Sequence, residues 1–239
     1  MICLLFSYHS SIAQLDEIKS YYKQLEKQAK EAPITIQFVQ AEMNLVKDLS
    51  TIDQIILLRH GEPALDKKGW RKRKETIRYV EQYDSVGVYP PKHIPVQLID
   101  GEIDMIYTST LSRSISTAEQ LFPQIENQNA QPIFREFERK IFSFFNIKLP
   151  LKWWTTGSRL FWVMGLNKKG IESFSEAKER AKNATTLLES TASENGKVLL
   201  VSHGLLNHYL VKYLKKNGWE EVFDGGKGYL SQKVLVKKN

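Results

Sequence analysis

The sequence of 239 residues contains one cysteine, Cys3, so no disulfide can form within the chain and no cross-linked framework argues for an oxidising compartment. No apolar run is suited to spanning a membrane, because the most apolar stretch, residues 149–166, is interrupted by Lys152 and Arg159. Internal repeats and low-complexity tracts are also missing, which excludes solenoids and linker-like chains. No aspartate pair or cysteine cluster suggests a metal, and no cofactor is expected. An export signal has little support. Residues 1–13 end in Ser11-Ile12-Ala13, but they lack a basic start and their apolar run, Ile2 to Phe6, is short. The expectation is a cytoplasmic protein, with export as the alternative if residues 1–13 are a truncated signal peptide.

What is present suits a globular chain: 42% of residues are hydrophobic and 26% charged. The formal net charge of +7 admits nucleic acid, an anionic membrane surface or a small anionic substrate, and charge alone does not choose among them. The densest basic run, Lys67 to Lys74, reads first as a solvated helix face. One short cluster without a binding motif is poor evidence for nucleic acid, and none is expected as a partner.

Residues 1–52 read as an N-terminal extension. Leu15, Ile18, Tyr22 and Leu25 recur at helical spacing, Pro33 stops that helix, and Ile34 to Val39 alternates like a strand. From residue 53 to the end, strands and helices alternate. Gln54 to Leu58, Ile103 to Tyr107 and Val198 to Val201 are short apolar runs typical of buried strands. Pro132 to Phe134 is expected to be a short strand, and Tyr229 to Val236 a late one. A charged helix is expected from about Gly69 to Tyr83. Ser173 and Glu176 form a capping box ahead of an apolar stripe at Phe174, Ala177, Ala181, Ala184, Leu187 and Leu188. Residues 137–168 are aromatic and irregular and are expected to form a cap, with Trp153, Trp154 and Trp162 packed inside it. The rhythm implies an α/β sandwich with a largely parallel central sheet.

Three strand ends carry polar residues: Arg59-His60-Gly61-Glu62, then Thr108-Ser109-Thr110-Leu111-Ser112-Arg113, and Ser202-His203-Gly204. A parallel sheet brings such ends to one edge, where open α/β sheets bind ligands. Two guanidinium forks match phosphate oxygens. A neutral imidazole is a competent nucleophile towards phosphorus, and a second one, if protonated, would steady the developing charge. His9, His93 and His208 have no such context and read as structural.

These segments resemble the histidine phosphatase superfamily, with its phosphoglycerate mutase-like three-layer α/β/α fold. Arg59-His60-Gly61-Glu62 is similar to its signature, and Thr108 to Ser114 followed by Thr117-Ala118 to its second arginine segment. Phe134-Arg135-Glu136-Phe137 resembles its acid segment, and Val201-Ser202-His203-Gly204 its second histidine motif. The start of the long helix, Gly170 to Phe174, is also similar. The resemblance covers about residues 53–237. It implies that His60 takes the phosphoryl group, that Arg59, Arg113 and His203 bind its oxygens, and that Glu136 protonates the leaving alcohol and then activates water. Glu138 is the alternative acid, since in a strand it would face the same side as Glu136.

The first motif continues Pro63-Ala64-Leu65, not the threonine or serine followed by tryptophan-asparagine that is usual in mutases. That favours a phosphatase acting without metal on a small phosphorylated substrate or a phosphoprotein. A non-catalytic phospholigand-binding module and a phosphoryl mutase are the alternatives. The segment Tyr83 to Pro91 matches no motif and reads as a pocket wall or a loop.

Overall fold

The computed structural model describes residues 15–20, 23, 24, 27, 52–91, 103, 105–143 and 146–238. The expected strand at Ile34 to Val39, the signal-like residues 1–13, His9 and His93 lie outside them.

Strand β1 (Ile52–Arg59) is an unbroken apolar run because both its faces are covered. It lies inside a six-stranded sheet. The other strands are β3 (Ile106–Ser109), β4 (Gln128–Gln131), β6 (Lys197–Ser202), β7 (Glu220–Asp224) and β8 (Gln232–Lys238), in the order β4-β3-β6-β1-β8-β7. The pairs from β4 to β1 are parallel. The last two pairs are antiparallel, since no helix separates β7 from β8 and the chain turns straight back.

Successive residues serve opposite faces. Ile56, Leu58, Leu199, Val201, Val234 and Val236 face a layer containing helix α2 (Ser112–Leu121) through Ala118 and Leu121. Ile18 joins this layer, and Lys19 pairs with Glu220 at 2.6 Å, so the helical residues 15–20 pack on the sheet. Ile55, Leu57, Val198, Leu200 and Leu235 face helices α4 (Phe174–Asn195) and α5 (Gly204–Lys216). Helix α4 presents Ala177, Ala181, Ala184 and Leu188, a stripe of mostly small side chains that lets it lie close to the sheet. The expected capping box is present: Ser173 Oγ accepts from Glu176 N at 3.3 Å, and Ser173 N donates to Glu176 at 2.6 Å.

Several elements differ from expectation. The charged helix, α1, runs Arg73–Ser85, because Trp70–Arg71 (β2) pairs with Leu149–Pro150 (β5) in a small antiparallel sheet. Pro132–Phe134 is a single 3₁₀ turn; the paired strand is the polar β4 just before it, held by backbone bonds to β3 and not by side-chain burial. Within the aromatic stretch, residues 151–163 form helix α3 (Leu151–Val163), docked through Phe142, Ile141 and Trp154, while the described residues of 137–148 are irregular as expected. Trp154 and Trp162 are buried as expected, but Trp153 is 69% exposed. Among the described residues, no helix is long and apolar enough to cross a membrane.

The two kinds of support should separate on mutation. Leu57→Ala empties space in the fully buried central strand and is expected to cost about 2–5 kcal/mol. Ser173→Ala removes one cap and is expected to cost about 1 kcal/mol. Urea unfolding of both variants tests the order; equal losses would contradict this picture of the core.

Candidate active site

The parallel pairing of β1 with β6 sets Arg59 opposite Ser202, so the next residues, His60 and His203, emerge side by side. His60 N donates to Ser202 O at 2.9 Å, extending the ladder by one step. The imidazole centroids are 5.2 Å apart, and both rings are buried. Gly61 follows His60 where space is tight: a Cβ there would lie 3.3 Å from Val88 Cβ. The Gly61 N–H donates to Thr117 Oγ1 at 2.9 Å, and that hydroxyl donates to Arg113 O at 2.6 Å, tying the first loop to α2.

His60 Nδ1 lies 2.7 Å from Gly61 O. A carbonyl only accepts, so Nδ1 carries the proton and Nε2 keeps its lone pair. Burial, then the Arg113 charge, pushes the His60 imidazole down to about 3, against partial opposition from the Gly61 carbonyl. His203 is held well below its ordinary value of 6.5 by burial and then by Arg113 and His60. Both imidazoles are therefore neutral near pH 7, and the protonated form considered for the second histidine is the disfavoured one. His203 Nε2 meets Ser114 Oγ at 3.3 Å, and its Nδ1 is buried without a partner.

The arginines arrive from different elements. Arg113, 2% exposed, is held by Tyr83 O and by Asp84 Oδ1, each at 2.9 Å, and lies 4.5 Å from the Tyr83 ring. Arg59 donates through Nη1 to Lys227 O and stacks on Tyr229 at 4.6 Å. The Nε atoms of both arginines are buried without an acceptor. Open guanidinium donors on the two arginines suit an anion.

Glu136 does not lie in a strand, so the argument that it and Glu138 face the same way fails. Its carboxylate accepts from Leu205 N (3.3 Å), Leu206 N (3.2 Å) and Phe137 N (2.9 Å), which places it at the start of α5 immediately after His203. Glu138 accepts instead from Glu172 N at 2.6 Å, away from that helix end. Two arginines pin the intervening backbone. Arg180 donates to Ile133 O and Arg135 O, and Arg159 to Phe137 O and Glu138 O.

Sequence reasoning passed over several contributors. Tyr229 lies 5.6 Å from the His60 ring and 4.2 Å from Lys67 Nζ; it reads as the start of the late strand, but β8 begins at Gln232 and Tyr229 sits on the turn before it. The next residue, Leu230, is the one described non-glycine residue with positive φ (57°). Tyr83 and Asp84 come from the segment that matched no motif. The basic run is not simply a solvated face either: Lys67 pairs with Glu62 at 2.7 Å and sits over Tyr229, and Arg71 lies over Tyr79. His208 is exposed on α5.

A sequence search of curated proteins finds no match. Among solved structures, similar folds include a phosphoglycerate mutase from Bacillus anthracis (TM-score 0.49, 17% identity, covering 79% of this chain and 89% of that one). A mycobacterial glucosyl-3-phosphoglycerate phosphatase gives a TM-score of 0.45 at 20% identity, covering 77% and 90%. The family model of the histidine phosphatase superfamily (branch 1) matches residues 55–235, a span that contains His60, Arg113, Glu136 and His203. The chain belongs to the histidine phosphatase superfamily.

Proposed function

We propose that the chain is a phosphomonoester hydrolase that works without metal, through a phosphohistidine on His60. The observation that carries this reading is the neutral, buried His60, whose Nδ1 is committed to Gly61 O while Arg59 Nε, Arg113 Nε and His203 Nδ1 stand open around it. In the first step the Nε2 lone pair of His60 attacks phosphorus and the ester P–O bond breaks. Glu136 gives its proton to the departing oxygen, releasing the alcohol. In the second step Glu136 takes a proton from water, whose oxygen attacks the phosphohistidine. The P–N bond breaks, inorganic phosphate leaves and His60 is again neutral. Arg59, Arg113 and the single N–H of neutral His203 meet the phosphoryl oxygens throughout. The substrate is a small phosphorylated molecule.

Incubation with p-nitrophenyl phosphate is expected to leave one acid-labile phosphoryl group on His60 and to release free phosphate even with a chelator present. His60→Ala should lose the label and about 10³-fold or more in turnover. A wild-type protein that never labels, or that only moves phosphate between two alcohols, would overturn the reading.

The two candidate acids separate by leaving group. Glu136→Gln should slow alkyl phosphate hydrolysis by about 10²–10⁴-fold and p-nitrophenyl phosphate less, because nitrophenolate leaves without a proton. Glu138→Gln should do far less to either. A larger loss at Glu138 would reassign the acid.

Stability should also depend on acid. Below pH 6.5 the unfolded chain protonates His60, while the folded site resists protonation down to about 3. Stability is therefore complete above 6.5 and lost as pH falls through that window, by at most about 1.4 kcal/mol per pH unit for this group. Melting curves of wild type and His60→Asn should diverge in that range; parallel curves would mean that His60 protonates freely when folded.

A further inference from the structure

A cleft of about 400 Å³ opens on the cap, lined by Arg139, Thr155, Thr156, Arg159, Leu160 and Val163. Its two arginines are unequally engaged. Arg159 Nη1 donates to Phe137 O and Glu138 O, each at 2.9 Å. Arg139 makes no hydrogen bond or ion pair among the described residues, and its Nε is buried without an acceptor. Two cations on one cleft repel each other. The Arg159 guanidinium is pushed down to about 10, first by burial and then by the Arg139 charge.

The carboxylates that act most strongly on Arg159 are Glu136, Glu172 and Asp84. Glu136 is held at the start of α5, Glu172 by Arg180, and Asp84 by Arg113. The lining of the cleft itself carries two arginines and no carboxylate, an excess of positive charge. The cleft is joined to the candidate site through the Glu136 loop: Arg159 bonds the carbonyls of Phe137 and Glu138, just after Glu136, whose carboxylate meets the start of α5 behind His203.

We propose that Arg139 and Arg159 form a second anion subsite, so that the substrate is a phosphomonoester whose alcohol carries a further anionic group, a carboxylate or a second phosphate. The inference rests on the phosphatase reading for the group bound at His60 and adds the identity of the leaving side. With the phosphoryl group at His60, the alcohol departs past Glu136 into the cleft. Leu160 and Val163 give its carbon skeleton an apolar wall, and the open guanidinium of Arg139 offers a fork to its anion.

Non-hydrolysable probes test this without turnover. Methylphosphonate carries one anionic group, phosphonopropionate adds a carboxylate, and propane bisphosphonate adds a second phosphonate. Calorimetry on the wild-type chain should show at least one two-anion probe binding about tenfold tighter than methylphosphonate, the return from one charge-assisted contact. Which probe gains identifies the anion. Arg139→Gln should cut that advantage to about twofold or less, and Arg139→Lys should keep part of it. Arg139 bonds no described residue, so its variants should fold; Arg159→Gln, which also frees two carbonyls, needs a melting curve beside it. Equal binding of all three probes, or an advantage that survives Arg139→Gln, would overturn the subsite. If both hold while no ester is ever hydrolysed, the subsite stands and the hydrolase reading alone falls.

Discussion

The register of β1 on β6 is the constraint on which the site depends. With Arg59 opposite Ser202, two residues remote in sequence leave the sheet at the same level, and His60 and His203 face each other because of that pairing. A slip of one residue would send every side chain of β1 to the opposite face. The slip is resisted by the two apolar layers: Ile55 and Leu57 are fitted to α4 and α5, and Ile56 and Leu58 to the face that holds α2. The pressure that buries the core thus also aligns the two histidines, and the Thr117 hydroxyl carries the same alignment to Arg113.

The electrostatic character of the site follows from the same burial. Two imidazoles beside two arginines in a dry pocket cannot both hold protons, and neutrality is what a histidine nucleophile needs. Each arginine has a partial partner outside the pocket: Asp84 for Arg113, and Lys227 O with the Tyr229 face for Arg59. Partial pairing leaves donors over, and these suit an oxyanion better than water.

The chemistry was legible in the sequence wherever it rides on strand ends. Arg59-His60 and His203 follow apolar runs that can only be buried strands, and the parallel rhythm predicts their meeting. Arg113 followed from the strand-loop-helix setting. Glu136 was found by resemblance, whereas its geometry was not foreseen, because Pro132–Phe134 reads as a strand on composition and folds as a 3₁₀ turn. The polar β4 carried no hydrophobic pattern at all, since its pairing is a backbone matter. Tyr229, which reads as the first residue of a strand, and Asp84 are missed for a related reason: each sits on a turn or helix end whose position is set by contacts distant in sequence.

An acid carried on a loop needs external support to be placed well, and the support here is two guanidinium groups. Arg180, steadied by Glu172, holds the carbonyls before Glu136, and Arg159 holds those after it. Arg159 also lines the cleft on the cap. One side chain therefore touches both the backbone that presents Glu136 and the cleft proposed for the leaving side of the substrate. In that proposal, an anion drawn into the cleft would relieve the repulsion between Arg139 and Arg159 and steady the arginine on which the Glu136 loop is hung. Binding energy from a remote part of the substrate would thereby be coupled to the placement of the proposed proton donor. That coupling is how contacts far from the reacting bond come to act on its transition state.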